Sequence, residues 1–237
     1  MADGSAEQDT GAFGRTTDGE AGAHRPTAEE AALVRALGRG PDARSTDRPS
    51  GLGTPEWLAS TLRHCGRCGS RLEFGRVDGE LRDRLSCPVC GFITYVNPRL
   101  VVTTFPVTDT GELVLLRRGI EPARGAWAQP GGFLEVDESV AEGAIRETLE
   151  EVGLVVRPGE IVGLYSRLEA GIVTIVFEAE IVGGEARRTP EALEVRAFPP
   201  DALPWDGLGF NTTYWALRDW LARRHPEVAV PAMRVPE

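Results

Sequence analysis

From Pro98 onward the chain alternates short apolar runs with turn residues, the pattern of a compact α/β domain. Residues 100–107 and 112–116 are predicted as strands, with Asp109-Thr110-Gly111 as the turn between them. Further β-rich runs fall at 161–168 and 172–182, and another strand lies near 193–198. Between these sets sits a helix over 139–152. Ser139 followed three positions later by Glu142 is a capping box that starts it, and Gly153 stops it in a left-handed conformation that glycine adopts at low cost. At about 100° per residue, Glu147, Glu150 and Glu151 share one arc, while Ala141, Ile145, Leu149 and Val152 form an opposing apolar face that is predicted to be core. Asn211 reads as the N-cap of a closing helix through about residue 223, with Trp215, Leu217, Trp220 and Leu221 as core residues. This domain is assigned to residues 98–225, with 226–237 as a C-terminal tail.

Upstream the pattern changes twice. Residues 1–52, rich in Gly, Ala, Asp, Thr and Pro, hold too little apolar surface to fold alone and are expected as a disordered tail. Within them Thr27-Ala28-Glu29-Glu30 can start a short helix that Gly38 to Pro41 would end. Residues 60–97 then carry Cys65-Gly66-Arg67-Cys68 and Cys87-Pro88-Val89-Cys90, two knuckles at a spacing that suits one tetrahedral zinc. A segment with so few apolar side chains needs a metal in place of a core, and four thiolates leave no open coordination position, so this zinc is structural.

Composition narrows the chemistry. The net charge of −10 argues against a general nucleic-acid or anionic-membrane binder, although arginines outnumber acids around the cysteine pairs. All 26 basic residues are Arg. Without lysine, a P-loop NTPase or a Schiff-base enzyme is excluded, whereas arginine suits a bidentate grip on phosphate. Met1 to Glu20 has no apolar core and no run approaches the ~20 apolar residues of a membrane span, so the expected location is the cytoplasm, where paired cysteines stay reduced.

The chemistry concentrates at Pro130-Gly131-Gly132 and the acidic helix. A glycine turn lets backbone approach the helix face, where a carbonyl can join the carboxylates around a cation. The full pattern, carried by Gly132, Glu138, Arg146, Glu147, Glu150, Glu151 and Gly153, resembles the Nudix box, with Thr148 standing where that family usually has an aliphatic residue. The resemblance implies a Nudix α/β/α sandwich with a mixed sheet. It also implies Mg²⁺ or Mn²⁺ held by Glu147, Glu150, Glu151 and the Gly131 carbonyl, for hydrolysis of a phosphoanhydride. Glu147 or Glu151 is then a candidate general base, with Glu191 or Glu194 as loop alternatives, and Glu138 and Arg146 complete the catalytic group, Arg146 by fixing a carboxylate. Arg117, Arg118 and Arg124 are candidates for gripping substrate phosphate, and Trp127 is expected to pack under the loop.

A zinc ribbon before a Nudix box is shared with NADH pyrophosphatases, but their S-Q-P-W-P-F-P-x-S signature is absent; Leu164-Tyr165-Ser166-Arg167-Leu168-Glu169 stands there instead. Tyr95-Val96-Asn97-Pro98, the segment from Trp127 to Glu135, and Pro204-Trp205-Asp206-Gly207-Leu208-Gly209-Phe210 are more similar to the branch containing plant chloroplast FAD/ADP-ribose pyrophosphatases. The expected function is cleavage of a nucleoside diphosphate linked to another moiety, releasing AMP from FAD or ADP-ribose. The alternatives are a nucleoside triphosphate or NADH pyrophosphohydrolase, and a non-catalytic nucleotide-sensing module. The expected partner is a small nucleotide, without nucleic acid or membrane, and a homodimer is left open.

Overall fold

The computed structural model describes residues 61–233, so the tail expected over residues 1–52 and the short helix expected within it lie outside the described residues. The chain divides between Val96 and Asn97 into two units.

In the first unit, β1 (Glu73–Gly75), β2 (Arg84–Ser86) and β3 (Ile93–Thr94) form an antiparallel three-stranded sheet. Among the described residues its apolar centre is small: Cys65, Leu72, Leu85 and Cys87, with Leu62, Cys90 and Val96 against them.

The second unit is built on β4 (Arg99–Val107), β5 (Leu113–Arg118), β6 (Trp127–Ala128), β7 (Gly131–Phe133), β8 (Leu154–Arg167), β9 (Ile172–Gly184) and β10 (Ala192–Phe198). The main sheet runs β10-β5-β4-β9-β8, with β6 on β5 and β7 on β4. It is mixed, because β4 and β9 are parallel while the other pairs are antiparallel. Helix α1 (Val140–Val152) covers one face and α2 (Asn211–Arg224) the other. Alternation along β5 shows why both faces are covered. Leu113 and Leu115 pack with Leu217, Trp220 and Leu221 of α2, while Val114 and Leu116 pack with Val152 of α1. The result is the α/β/α sandwich expected from the sequence.

Several local readings change. Strand β8 starts at Leu154, straight after Gly153, and not at residue 161. Pro158 and Gly159 disguise its first half, yet β8 is an edge strand with register shifts between Pro158 and Gly163, where a missing N–H is tolerated. Gly131 and Gly132 belong to a short strand and not to a free turn. The N-cap of α2 is Phe210, with no side-chain cap, and Asn211 is the first helical residue. Leu217, Trp220 and Leu221 are buried as expected, and Trp215 packs at their margin.

Helix α2 is tied to β8 by Tyr165 Oη donating to Asp219 (2.9 Å) and by Arg223 donating to the carbonyls of Ile161 and Val162 (2.9 and 2.7 Å). Past its end, Val228 and Val230 rest on the same core, and Tyr214 Oη donates to the Pro231 carbonyl at 2.8 Å.

Candidate active site and metal centres

The glycine strand and α1 face each other across the site. Ser139 caps α1, accepting from the Glu142 amide while the Glu142 carboxylate accepts from the Ser139 amide, and Gly153 closes the helix at φ 79°. The buried stripe of α1, however, is not the predicted one. Ala144, Thr148 and Val152 are buried, whereas Leu149 is 40 % exposed and Ala141 is also exposed. Thr148 explains the rotation: its hydroxyl donates to the Ala144 carbonyl and bonds Thr104 Oγ1, each at 2.7 Å, so a polar residue sits in the core at little cost. Glu151 lies beside that stripe and is only 6 % exposed.

Strand register aims the backbone at Glu151. Leu134 N–H donates to Leu100 O and Thr104 N–H to Pro130 O, which makes Thr103 and Gly131 a pair that exchanges no ladder bonds. The N–H and C=O of Gly131 therefore turn away from β4, and the N–H donates to Glu151 Oε2 at 2.7 Å. Both glycines are required for this closeness. A Cβ on Gly131, whose φ is 149°, would stand 2.3 Å from Val102 O, and one on Gly132 would stand 2.5 Å from Glu147 Oε1.

Arg146 organises the remaining acids. Its Nε and Nη2 fork onto Glu138 (2.9 and 2.6 Å), Nη1 reaches Glu147 (2.8 Å) and Glu150 (3.2 Å), and Nη2 also donates to the Phe133 carbonyl (3.2 Å). Hydrogen bonding from Arg146 holds the Glu138 carboxyl down at about 2. Burial pushes Glu147 up despite Arg146, and pushes Glu151 up to about 8, with the Glu147 and Glu191 charges adding to it.

The donor set fits a divalent cation. It is all oxygen, as hard cations prefer, and a desolvated carboxylate beside two further acids is a group whose charge a cation would stabilise. Glu147, Glu151 and the Gly131 carbonyl lie on the facing surfaces; Glu150, its side chain 60 % exposed, lies at the rim.

Of the other candidates, Glu191 is close enough for its charge to raise both Glu147 and Glu151, whereas Glu194 is engaged by Arg196 and Arg117. Arg117 Nε donates to Gly125 O and Arg118 Nε to Pro122 O, both at 2.8 Å, so each holds the loop after β5. Arg124 is exposed on that loop. Trp127 packs edge-on to Phe198, their ring centroids 4.9 Å apart. Arg167 and Phe210, not singled out from the sequence, lie with Arg118: both guanidiniums sit over the Phe210 ring, at 5.0 Å for Arg118 and 5.9 Å for Arg167. No local motif signals that meeting of three elements.

In the first unit the four thiol sulfurs lie within 4.8 Å of one another, with Cys65–Cys90 at 3.7 Å and Cys68–Cys87 at 3.5 Å. Tetrahedral zinc at ~2.3 Å from each sulfur requires separations of roughly 3.8 Å, close to these. The two knuckles are built alike: Gly69 N–H donates to Cys65 O and Gly91 N–H to Cys87 O, with both glycines at positive φ.

Residues 97–220, just over half of the chain, match the family described as the NUDIX domain, and residues 63–96 match the one described as Nudix N-terminal. The chain is 32 % identical over 114 residues to a protein of Methanocaldococcus jannaschii named ADP-ribose pyrophosphatase, covering 46 % of this chain and 67 % of that one. Over 178 residues it is also 32 % identical to a Stutzerimonas stutzeri protein named NAD-capped RNA hydrolase NudC, covering 74 % of this chain and 62 % of the relative. The chain thus spans about two thirds of the length of these curated relatives. A crystal structure of a NUDIX hydrolase from Nitrosomonas europaea shares 32 % identity at a TM-score of 0.65, over 73 % of this chain and 97 % of that one. Membership carries dependence on a divalent cation, and among the described residues no helix is long and apolar enough to cross a membrane. By its capped acidic helix, its glycine strand and these matches, the chain belongs to the Nudix family of hydrolases, as a member whose catalytic domain follows a zinc ribbon.

Proposed function

We propose that this protein hydrolyses a nucleoside diphosphate linked to another moiety, of the ADP-ribose or FAD type, releasing AMP and the phosphorylated moiety. The observation that carries the reading is the anchoring of Glu147 and Glu151 against the Gly131–Gly132 backbone, with the Gly131 carbonyl turned out of the ladder. A non-catalytic nucleotide sensor would have no use for so exact a carboxylate arrangement.

Glu147, Glu150, Glu151 and the Gly131 carbonyl would hold Mg²⁺ or Mn²⁺. A bound cation supplies Lewis acidity toward the phosphoryl oxygens and neutralises the diphosphate. Arg146, forked onto Glu138, is a positioning residue that fixes Glu147 and Glu150. Glu191 is assigned the proton of the attacking water, since its charge acts on both Glu147 and Glu151, while Glu147 is tied to Arg146 and Glu151 to Gly131. Arg118, whose charge acts on Glu151, is assigned to hold a substrate phosphate.

A second reading, cleavage at a nicotinamide dinucleotide, is favoured by the relative named NAD-capped RNA hydrolase, which spans ribbon and catalytic domain alike. The missing NADH pyrophosphatase signature argues against it. One screen separates them: ADP-ribose, FAD, NADH, NAD-capped RNA and nucleoside triphosphates, each with Mg²⁺ or Mn²⁺, reading AMP or nucleoside monophosphate. The proposal expects AMP from ADP-ribose or FAD at the highest kcat/KM, and is overturned if only triphosphates are cut or nothing is.

A further inference from the structure

Arg118, Phe210 and Arg167 come from the end of β5, the residue before α2 and the end of β8, and meet with both guanidiniums over one ring. Two like charges gathered at one ring repel each other, so the arrangement gains most when an anion binds both. Their hydrogen-bonding capacity is largely unspent. Arg118 uses Nε on the Pro122 carbonyl, and Arg167 Nε approaches Glu169 at 3.4 Å. Among the described residues, the terminal nitrogens of both forks have no carboxylate or carbonyl partner, unlike the fully engaged fork of Arg146.

Two further features point the same way. Phe210 is the N-cap of α2 and supplies no side-chain acceptor, so the first turn of a 14-residue helix starts beside the pair without a cap. On the other side, Arg118 lies opposite Ala192, the residue after Glu191, and its charge acts on Glu151.

We propose that Arg118 and Arg167, held over Phe210, bind the substrate phosphate on the side of the anhydride away from the carboxylates, with Arg167 as an additional substrate-binding residue. The ring orders the two forks and does not stack a nucleobase, because cations already lie over it that a base would have to displace. The identity of the anion rests on the proposed diphosphate hydrolysis; the existence of the anion site does not.

The test is calorimetric titration of the full chain with ADP, inorganic pyrophosphate and adenosine, without added divalent cation, for the native protein, Arg167→Gln and Phe210→Leu. Native protein should bind ADP and pyrophosphate, with affinity falling as salt rises, and adenosine far more weakly. Arg167→Gln should weaken both anions about tenfold, the effect of one lost charge-assisted fork, with unchanged Tm. In turnover it should raise KM for the best diphosphate substrate while leaving kcat near native. Unchanged ADP binding in Arg167→Gln overturns the proposal. So does adenosine binding that matches ADP and is lost in Phe210→Leu, which would make the ring a base platform. If no diphosphate is hydrolysed at all, the functional reading fails while the pyrophosphate titration still decides the arginine pair.

Discussion

The Gly131 amide donates to the Glu151 carboxylate at 2.7 Å, although the two residues stand twenty positions apart and belong to different elements. This bond locks the glycine strand to the helix and fixes a buried acid between them. A glutamine can accept the same bond, so Glu151→Gln should fold normally. It should nevertheless lose cation-dependent hydrolysis by about a hundredfold or more, as expected when ~3 kcal/mol of transition-state stabilisation is removed. Retained activity with intact metal dependence would remove Glu151 from the site.

The same residue makes stability depend on pH in protein kept free of divalent cations. Burial raises its pKa from an ordinary 4.5 to about 8. The folded state therefore favours the protonated form: its stabilisation is complete below the unfolded value and disappears as pH rises to the folded one. The Tm should fall between about pH 5 and pH 8 by more in the native protein than in Glu151→Gln, and saturating Mg²⁺ should recover most at the alkaline end. Parallel pH curves for the two proteins would defeat this account.

Adjacent glycines separate stability from catalysis. An alanine at 131 meets backbone, Val102 O at 2.3 Å, and must hold φ 149°, so Gly131→Ala should cost a few kcal/mol of stability, on the order of other strained backbone substitutions. The atoms nearest an alanine Cβ at 132 are those of the Glu147 carboxylate, the end of a side chain that can turn aside by giving up its bond to Arg146. Gly132→Ala should melt near the native temperature yet lose hydrolysis, because the carboxylate is displaced. Thermal denaturation paired with initial rates checks both; equal loss of Tm in the two variants would contradict it.

The Thr104–Thr148 hydroxyl pair predicts a double-mutant cycle. Either single change to Val leaves a buried hydroxyl with one partner fewer, costing about 1–3 kcal/mol, while the double change restores an apolar contact and should cost less than the two singles summed. Thr148 retains its bond to the Ala144 carbonyl, so Thr148→Val, which orphans Thr104, should be the more damaging single change. Chemical denaturation of the four proteins reads the coupling, and strict additivity would show that the pair is not coupled.

Local signals were legible in the sequence because they are local. Ser139 and Glu142 cap each other three positions apart, Gly153 ends the same helix, and the cysteine knuckles repeat one turn geometry. Thr148 was visible only as a departure, since its partner Thr104 lies 44 residues away. The burial of Glu151 beside an exposed Leu149 was hidden as well: hydrophobicity places Leu149 in the core, whereas the neighbouring glycine strand decides which side of α1 is covered. Arg118, Arg167 and Phe210 come from β5, β8 and the residue before α2, and no spacing along the chain reveals that they meet.

The ribbon gives the last prediction. Among the described residues of the first unit, the buried centre apart from the thiols is Leu72 and Leu85, far less apolar surface than a fold of this size needs without a metal. Zinc on Cys65, Cys68, Cys87 and Cys90 is then the core itself, and serine, a poor ligand for it, cannot substitute. Cys87→Ser should lose about one zinc per chain by atomic absorption. It should also open residues 63–96 to limited proteolysis, while residues 97–220 keep their protection because their sheet has a core of its own. A zinc-free Cys87→Ser protein whose ribbon resists protease as the native one does would show that the metal is dispensable to this fold.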